Sequence, residues 1–170
     1  MQPSQKANPA QPLRVAVLTV SDSVSAGTIE DRSGPAVVAQ SVHLGWTIAQ
    51  TAVLADERGV IEQYLKATAD AGGVDVILTT GGTGVSPRDL TPEATMAVCE
   101  RLVPGFAEQM RAEGLKKNHR ATLSRAVAGI RGKTFVINLP GSPRGAVESL
   151  NAIAYLLPHA VSVLHGARHD

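Results

Sequence analysis

Residues 79–94 read Thr-Thr-Gly-Gly-Thr-Gly-Val-Ser-Pro-Arg-Asp-Leu-Thr-Pro-Glu-Ala. Gly81, Gly82 and Gly84 let a backbone come close to a ligand and turn its N–H groups toward an anion. Arg88 adds a fixed cation, and Asp89 adds a carboxylate of the kind a divalent metal takes. Together they suit a phosphate ester held beside a metal ion. The apolar run Val74 to Leu78 comes just before and reads as a buried parallel strand. After the loop, Thr91, Pro92 and Glu93 read as N-cap, first helical residue and acid at the positive end of a helix dipole. The loop therefore joins a strand to a helix.

Two better-known phosphate fingerprints do not fit. A dinucleotide Gly-x-Gly-x-x-Gly fails because Pro87 stands where the third glycine after Gly82 and Gly84 belongs. Gly132-Lys133-Thr134 imitates the end of a Gly-x4-Gly-Lys-Thr loop, but Val127 replaces the first glycine and a strand follows. That triplet reads as a hairpin turn. No Gly-x-Ser-x-Gly elbow supports a serine hydrolase. His165 and His169 share helical spacing, yet two histidines beside Gly166 do not make a zinc site.

The elements that must carry this loop alternate along the chain. Strands are expected over Leu13–Val20, Trp46–Leu54 and Val74–Thr80, followed by a hairpin over Ala126–Ile130 and Thr134–Leu139 with Gly132 at its turn. Helices are expected from Ser33 to Gly45, from Asp56 to Ala71, over Pro92–Leu102, over Pro104–Lys117 and from Pro143 onward. In the last, Val147, Leu150, Ala154 and Leu157 share a face, and Pro158 either kinks the helix or opens another segment. The pattern implies an α/β fold: a three-layer α/β/α domain over residues 13–170, with a mostly parallel sheet and a C-terminal β-hairpin strand. Residues 1–12, rich in Gln, Pro and Ala, read as a frayed tail without a signal core.

Parallel strands place their carboxyl ends on one edge, where open α/β sheets bind ligands. Ser21-Asp22, Asp56, Gly81–Asp89 and Gly141-Ser142 all follow such ends and should converge on one cleft. Each also has a structural reading. Asp56 is an ordinary N-cap candidate, and Ser142 with Pro143 makes a cap and first-turn pair. Asp89 could pair with Arg88, and Asp22 could hold the loop after it. Asp31-Arg32-Ser33 reads as a flap or a surface turn.

Composition narrows the partners. The 170 residues are 44% apolar but only 3% aromatic, with net charge +1. One core of Val, Leu, Ile and Ala follows. Neither a basic field nor stacking rings are available for nucleic acid, which is excluded as a partner. No apolar run reaches membrane-spanning length. Cys99 cannot form an internal disulfide and reads as a buried, inert thiol.

The glycine loop with Pro-Arg-Asp and Thr-Pro-Glu-Ala resembles the signature of the molybdopterin-binding family of molybdenum-cofactor biosynthesis, the MogA/MoaB group. Also similar, in order, are Ser21-Asp22, Asp31-Arg32-Ser33-Gly34-Pro35, Asp56-Glu57, Val103-Pro104-Gly105-Phe106, Leu123-Ser124-Arg125 and Asn138-Leu139-Pro140-Gly141-Ser142-Pro143. They span nearly the whole chain. The resemblance implies a cytoplasmic molybdopterin adenylyltransferase that moves AMP from ATP to the terminal phosphate of molybdopterin. It makes Asp56 and Asp89 the catalytic pair and the holders of Mg²⁺. Ser21, Asp22, Thr80, Gly81, Gly82, Thr83, Gly84, Arg88, Pro140, Gly141 and Ser142 become substrate-binding positions. It also implies a homo-oligomer, trimeric or larger, and a partner that inserts molybdate. The alternative within the family is a non-catalytic molybdopterin carrier, against which the presence of both aspartates argues. Which pocket takes pterin and which adenine stays open.

Overall fold

The computed structural model describes residues 11–167. Six strands form one sheet in the order β2-β1-β3-β6-β5-β4. Four are parallel: β1 (Arg14–Val20), β2 (Thr47–Leu54), β3 (Val76–Thr80) and β6 (Thr134–Leu139). The short β5 (Ala128–Arg131) runs antiparallel to β6, and β4 (Arg101–Leu102) antiparallel to β5.

Strand alternation assigns two cores. Val15 and Val17 of β1, with Phe135, Ile137 and Leu139 of β6, face one side. There they meet α2 (Ser33–His43), α5 (Pro104–Leu115), α6 (Pro143–Ile153) and α7 (Leu157–Leu164). Ala16, Leu18, Ile77 and Val136 face the other, covered by α3 (Arg58–Asp70) and α4 (Thr91–Val98). Burying a side chain such as Leu18 or Ile61 contributes on the order of 1.5–3 kcal/mol. The expected three layers and mostly parallel sheet are present.

β1 lies between β2 and β3, so the chain leaves β1 toward one edge and β3 toward the other. The crevice between their carboxyl ends is the topological switch point. Gly81 sits there at φ +105, and a Cβ on it would come within 2.1 Å of the Val20 carbonyl oxygen. Only glycine lets the two loops approach so closely.

Several expected boundaries change. Thr91 does not cap α4: it lies within the helix, and its hydroxyl donates to the Gly81 carbonyl at 3.0 Å. Asp56 does not cap α3: Glu57 holds that position, and the Asp56 carboxylate turns to Asp22 instead. Both side chains gain a distant partner in place of the local one. At α2, Asp31 accepts the Gly34 N–H at 3.0 Å, so the helix entry is braced from outside Ser33. The helix expected to Leu102 stops at Val98, and Arg101–Leu102 pairs with β5. A four-residue α1 (Asp22–Ser25) and a 3₁₀ turn over His119–Leu123 are additional. Pro158 opens α7, which bends 61° from α6, and Val147 is half-buried while Ala146, Leu150 and Ile153 form the covered face. No single described helix is long and apolar enough to cross a membrane.

Cys99 is half-buried, and burial pushes its thiol up to about 11, which disfavours the reactive thiolate. The expected tail falls outside the described residues up to residue 10, as does His169.

Candidate active site

The turns after β1, β2, β3 and β6 meet at the switch point. Ser21 donates its N–H to Leu54 O at 2.9 Å, and Gly81 donates to Leu139 O at 3.2 Å. Thr80 Oγ1 donates to Pro140 O at 2.6 Å, and Gly141 lies against Gly81. These bonds stitch four loops into one rim.

Two cavities open on that rim instead of the single pocket expected. The smaller, about 420 Å³, is lined by Ser21, Asp31, Asp56, Thr80, Gly81 and others. The larger, about 570 Å³, takes in Thr83, Gly84, Pro140 and Ser142, with Arg111, Lys117, Arg120 and Arg144 as its cations. Gly82, Asp89 and Gly141 line both. The two spaces therefore share a wall made by the glycine loop and one carboxylate.

Asp56 and Asp22 bind each other reciprocally. Asp22 N–H donates to Asp56 Oδ2 at 2.9 Å, and Asp56 N–H donates to Asp22 Oδ1 at 3.0 Å. Burial raises the Asp56 carboxyl above its ordinary range, and the like charges of Asp22 and Asp89 add to the rise. Asp22 is held below its range by the Arg88 guanidinium and by the Asp56 N–H.

Arg88 spans Asp22 through two bonds of 2.9 Å and reaches Glu57 at 3.1 Å. Neither Arg88 nor Asp22 lines a cavity. Asp89 does not pair with Arg88; its Oδ2 accepts the Ser86 N–H at 2.9 Å.

A divalent cation fits this donor set. Asp56 and Asp89 each have Oδ2 occupied by a backbone N–H, and those bonds leave Oδ1 of each unused. A cation would also offset the charge repulsion that raises Asp56. Among the described residues no three His, Cys, Asp or Glu form a metal cluster. Mg²⁺ commonly uses one or two carboxylates and draws its other ligands from phosphates and water.

Residues 16–159 match the model of a probable molybdopterin binding domain. The chain belongs to the molybdopterin-binding domain family. It is 42% identical over 158 residues to the molybdopterin adenylyltransferase of Helicobacter pylori strain J99, covering 92% of this chain and 90% of that one. The Escherichia coli K12 molybdopterin adenylyltransferase is 38% identical over 144 residues, 83% of this chain and 73% of that one. In three dimensions the chain resembles the molybdopterin biosynthesis enzyme MoaB of Thermus thermophilus. The TM-score is 0.86 at 46% identity, covering 93% of this chain and 99% of that one.

Within this family fold, three residues outside the expected site set stand beside the site: Asp31, read from sequence only as part of a flap or surface turn, and Asn138 and Arg125, which had no assigned role. Asp31 accepts Thr19 Oγ1 at 2.7 Å on the wall of the smaller cavity. Asn138, fully buried, donates to Thr79 and Thr95 hydroxyls beneath the larger. Arg125 grips the glycine loop. All three belong to strings that carry the family resemblance, which was the available signal.

The glycine loop can be tested against the Gly-Lys-Thr decoy. Gly82 has φ +67, and a Cβ there would meet Thr91 Oγ1 at 2.3 Å and Asp56 Oδ1 at 3.0 Å. Gly82→Val should therefore sharply lower affinity for molybdopterin or ATP in calorimetric titration. Lys133 lies in the β5–β6 turn and lines neither cavity, so Lys133→Ala should leave affinity unchanged. Equal losses would place the phosphate site elsewhere.

Proposed function

We propose that this chain is a molybdopterin adenylyltransferase of molybdenum-cofactor biosynthesis. It transfers AMP from ATP to the terminal phosphate of molybdopterin. A phosphate oxygen of molybdopterin bonds to the α-phosphorus of ATP, the α–β bridging bond breaks, and pyrophosphate leaves with the electron pair. The observation that carries this reading is the pair of adjacent cavities that share Gly82, Asp89 and Gly141. Each is of ligand size. A transferase needs two such spaces meeting where the phosphates react. The adenylyltransferase names of the bacterial relatives support the same reading.

Phosphoryl-type transfer asks a protein mainly for alignment and charge stabilisation. Backbone N–H groups of the glycine loop beyond Gly81, whose own N–H goes to Leu139 O, hold phosphate oxygens. The N-terminus of α6, capped by Ser142 Oγ accepting the Gly145 N–H at 3.1 Å, faces the larger cavity. Such a terminus favours an anion by about 0.3–1 kcal/mol when exposed. Asp89 orients the reacting groups from the shared wall, and Asp56 from the wall of the smaller cavity. Mg²⁺ bound by these two carboxylates would supply neutralisation of the charge on the phosphates. Cytoplasmic work, a homotrimeric or larger assembly and a separate molybdate-inserting partner complete the proposal, and the family resemblance supports them.

The test is incubation of purified protein with molybdopterin, ATP and Mg²⁺, followed by mass spectrometry. Adenylylated molybdopterin is the expected product. Tight pterin binding without product would leave a carrier and sink the enzyme assignment.

A further inference from the structure

Arg125 lines neither cavity, although its neighbours Ser124 and Ala126 line the larger. Every nitrogen of its guanidinium is committed. Nε donates to Gly84 O at 2.7 Å, Nη2 donates to Asp89 O at 2.5 Å, and Nη1 pairs with Glu93 in the first turn of α4. Its backbone N–H donates to Thr83 O at 2.9 Å. One residue thus holds three carbonyls of the glycine loop, at Thr83, Gly84 and Asp89.

Apart from Arg125, that loop is tied to the domain through the exposed Arg88 side chain, which bonds Asp22 and Glu57 and leaves the loop's carbonyls free. Val85 is 67% exposed, and Ser86, Pro87 and Arg88 are exposed as well. The bonds of Asp89 to Ser86, N–H to O at 3.0 Å and Oδ2 from N–H at 2.9 Å, are internal to the loop. They shape the turn without fixing it to the domain. Arg125 reaches across from a segment 36 residues away to anchor the backbone that carries the Asp89 carboxylate. Its planar fork suits this task, since several donors are fixed at once.

We propose that Arg125 is a positioning residue for adenylyl transfer, setting the place of the Asp89 carboxylate by clamping the loop's carbonyls. The inference rests on the role given to Asp89 above. A plain surface ion pair with Glu93 would predict little effect on turnover. Positioning predicts a loss confined to the chemical step.

The variants are Arg125→Ala, Arg125→Lys, Asp89→Asn and the double Asp89→Asn/Arg125→Ala. Each is measured for kcat, for KM of ATP and molybdopterin, for melting temperature and for amide hydrogen exchange over residues 83–90. A misplacement of about 1 Å commonly costs on the order of 10²-fold in rate, so Arg125→Ala should lower kcat by about that much with little change in either KM. Exchange in the loop should rise. In the Asp89→Asn background the same substitution should add almost nothing, because both changes act through one carboxylate. Arg125→Lys keeps the charge opposite Glu93 but offers one nitrogen. It should melt like the parent and still lose turnover, and it decides the matter if Arg125→Ala fails to fold. Normal kcat and normal loop exchange in Arg125→Lys would overturn the proposal. Losses that multiply in the double variant would overturn it too, by giving Arg125 its own contact with substrate. Failure of the Asp89 reading is separate: Asp89→Asn alone would then turn over normally.

Discussion

Asp89→Asn is expected to lower the rate of adenylyl transfer by roughly 10²–10³-fold, the usual cost of losing charge stabilisation at a pre-organised site. Asp89 lines both cavities, which in the proposed reaction places its carboxylate beside the groups that react. The substitution keeps an oxygen for the Ser86 N–H, which preserves the turn. The loop carbonyls remain held by Arg125. The fold and melting temperature should therefore stay near those of the parent while kcat falls. Rates from a coupled pyrophosphate assay at saturating Mg²⁺, with circular dichroism as the fold control, check this. Near-normal turnover would remove Asp89 from the catalytic pair.

Much of the frame that places Asp89 was legible in the chain. β1, β3 and β6 are short apolar runs because both faces are covered, and such runs read as strands without context. Their shared direction then predicted that four distant turns would meet, and the stitching of Ser21, Gly81 and Pro140 bears this out. The hairpin turn at Gly132 was equally readable: Arg131 pairs with Thr134 across it.

What escaped was decided by distant partners. Local capping rules assigned Thr91 and Asp56 to helix ends, but a carbonyl ten residues back and an N–H 34 residues back took their side chains. β4 has two exposed residues and no apolar pattern; only its pairing with β5 makes it a strand. The Arg88–Asp22 and Arg125–Asp89 contacts join residues 66 and 36 apart, beyond any local rule. Asp22 is drawn to Arg88 and away from the ligand space, while Gly82 and Gly141 stay on the wall that both cavities share.

Asp56→Asn should abolish most transfer and at the same time stabilise the protein. In the fold, burial first and then the charges of Asp22 and Asp89 raise the Asp56 carboxyl above its unfolded value. A group raised in this way favours folding below its unfolded pKa, and that contribution disappears as pH climbs through the folded pKa. Wherever Asp56 is ionised its charge is thus a net cost to stability, one that the proposed reaction would put to use. Asparagine removes the charge and keeps an oxygen for the Asp22 N–H. The melting temperature at pH 7 should rise, by about 2–4 °C for each kcal/mol recovered in a domain of this size. The gain should shrink as the pH falls and the parent's carboxylate protonates. Activity should show the converse: the parent's kcat/KM falls on acidification at a pH above that of an ordinary aspartate, while the residual rate of the variant loses that limb. Thermal melts between pH 4 and 8 and a matching pH–rate profile measure both. A variant that melts lower than the parent at neutral pH, or that turns over normally, would mean that Asp56 is a structural brace and not a strained catalytic acid group.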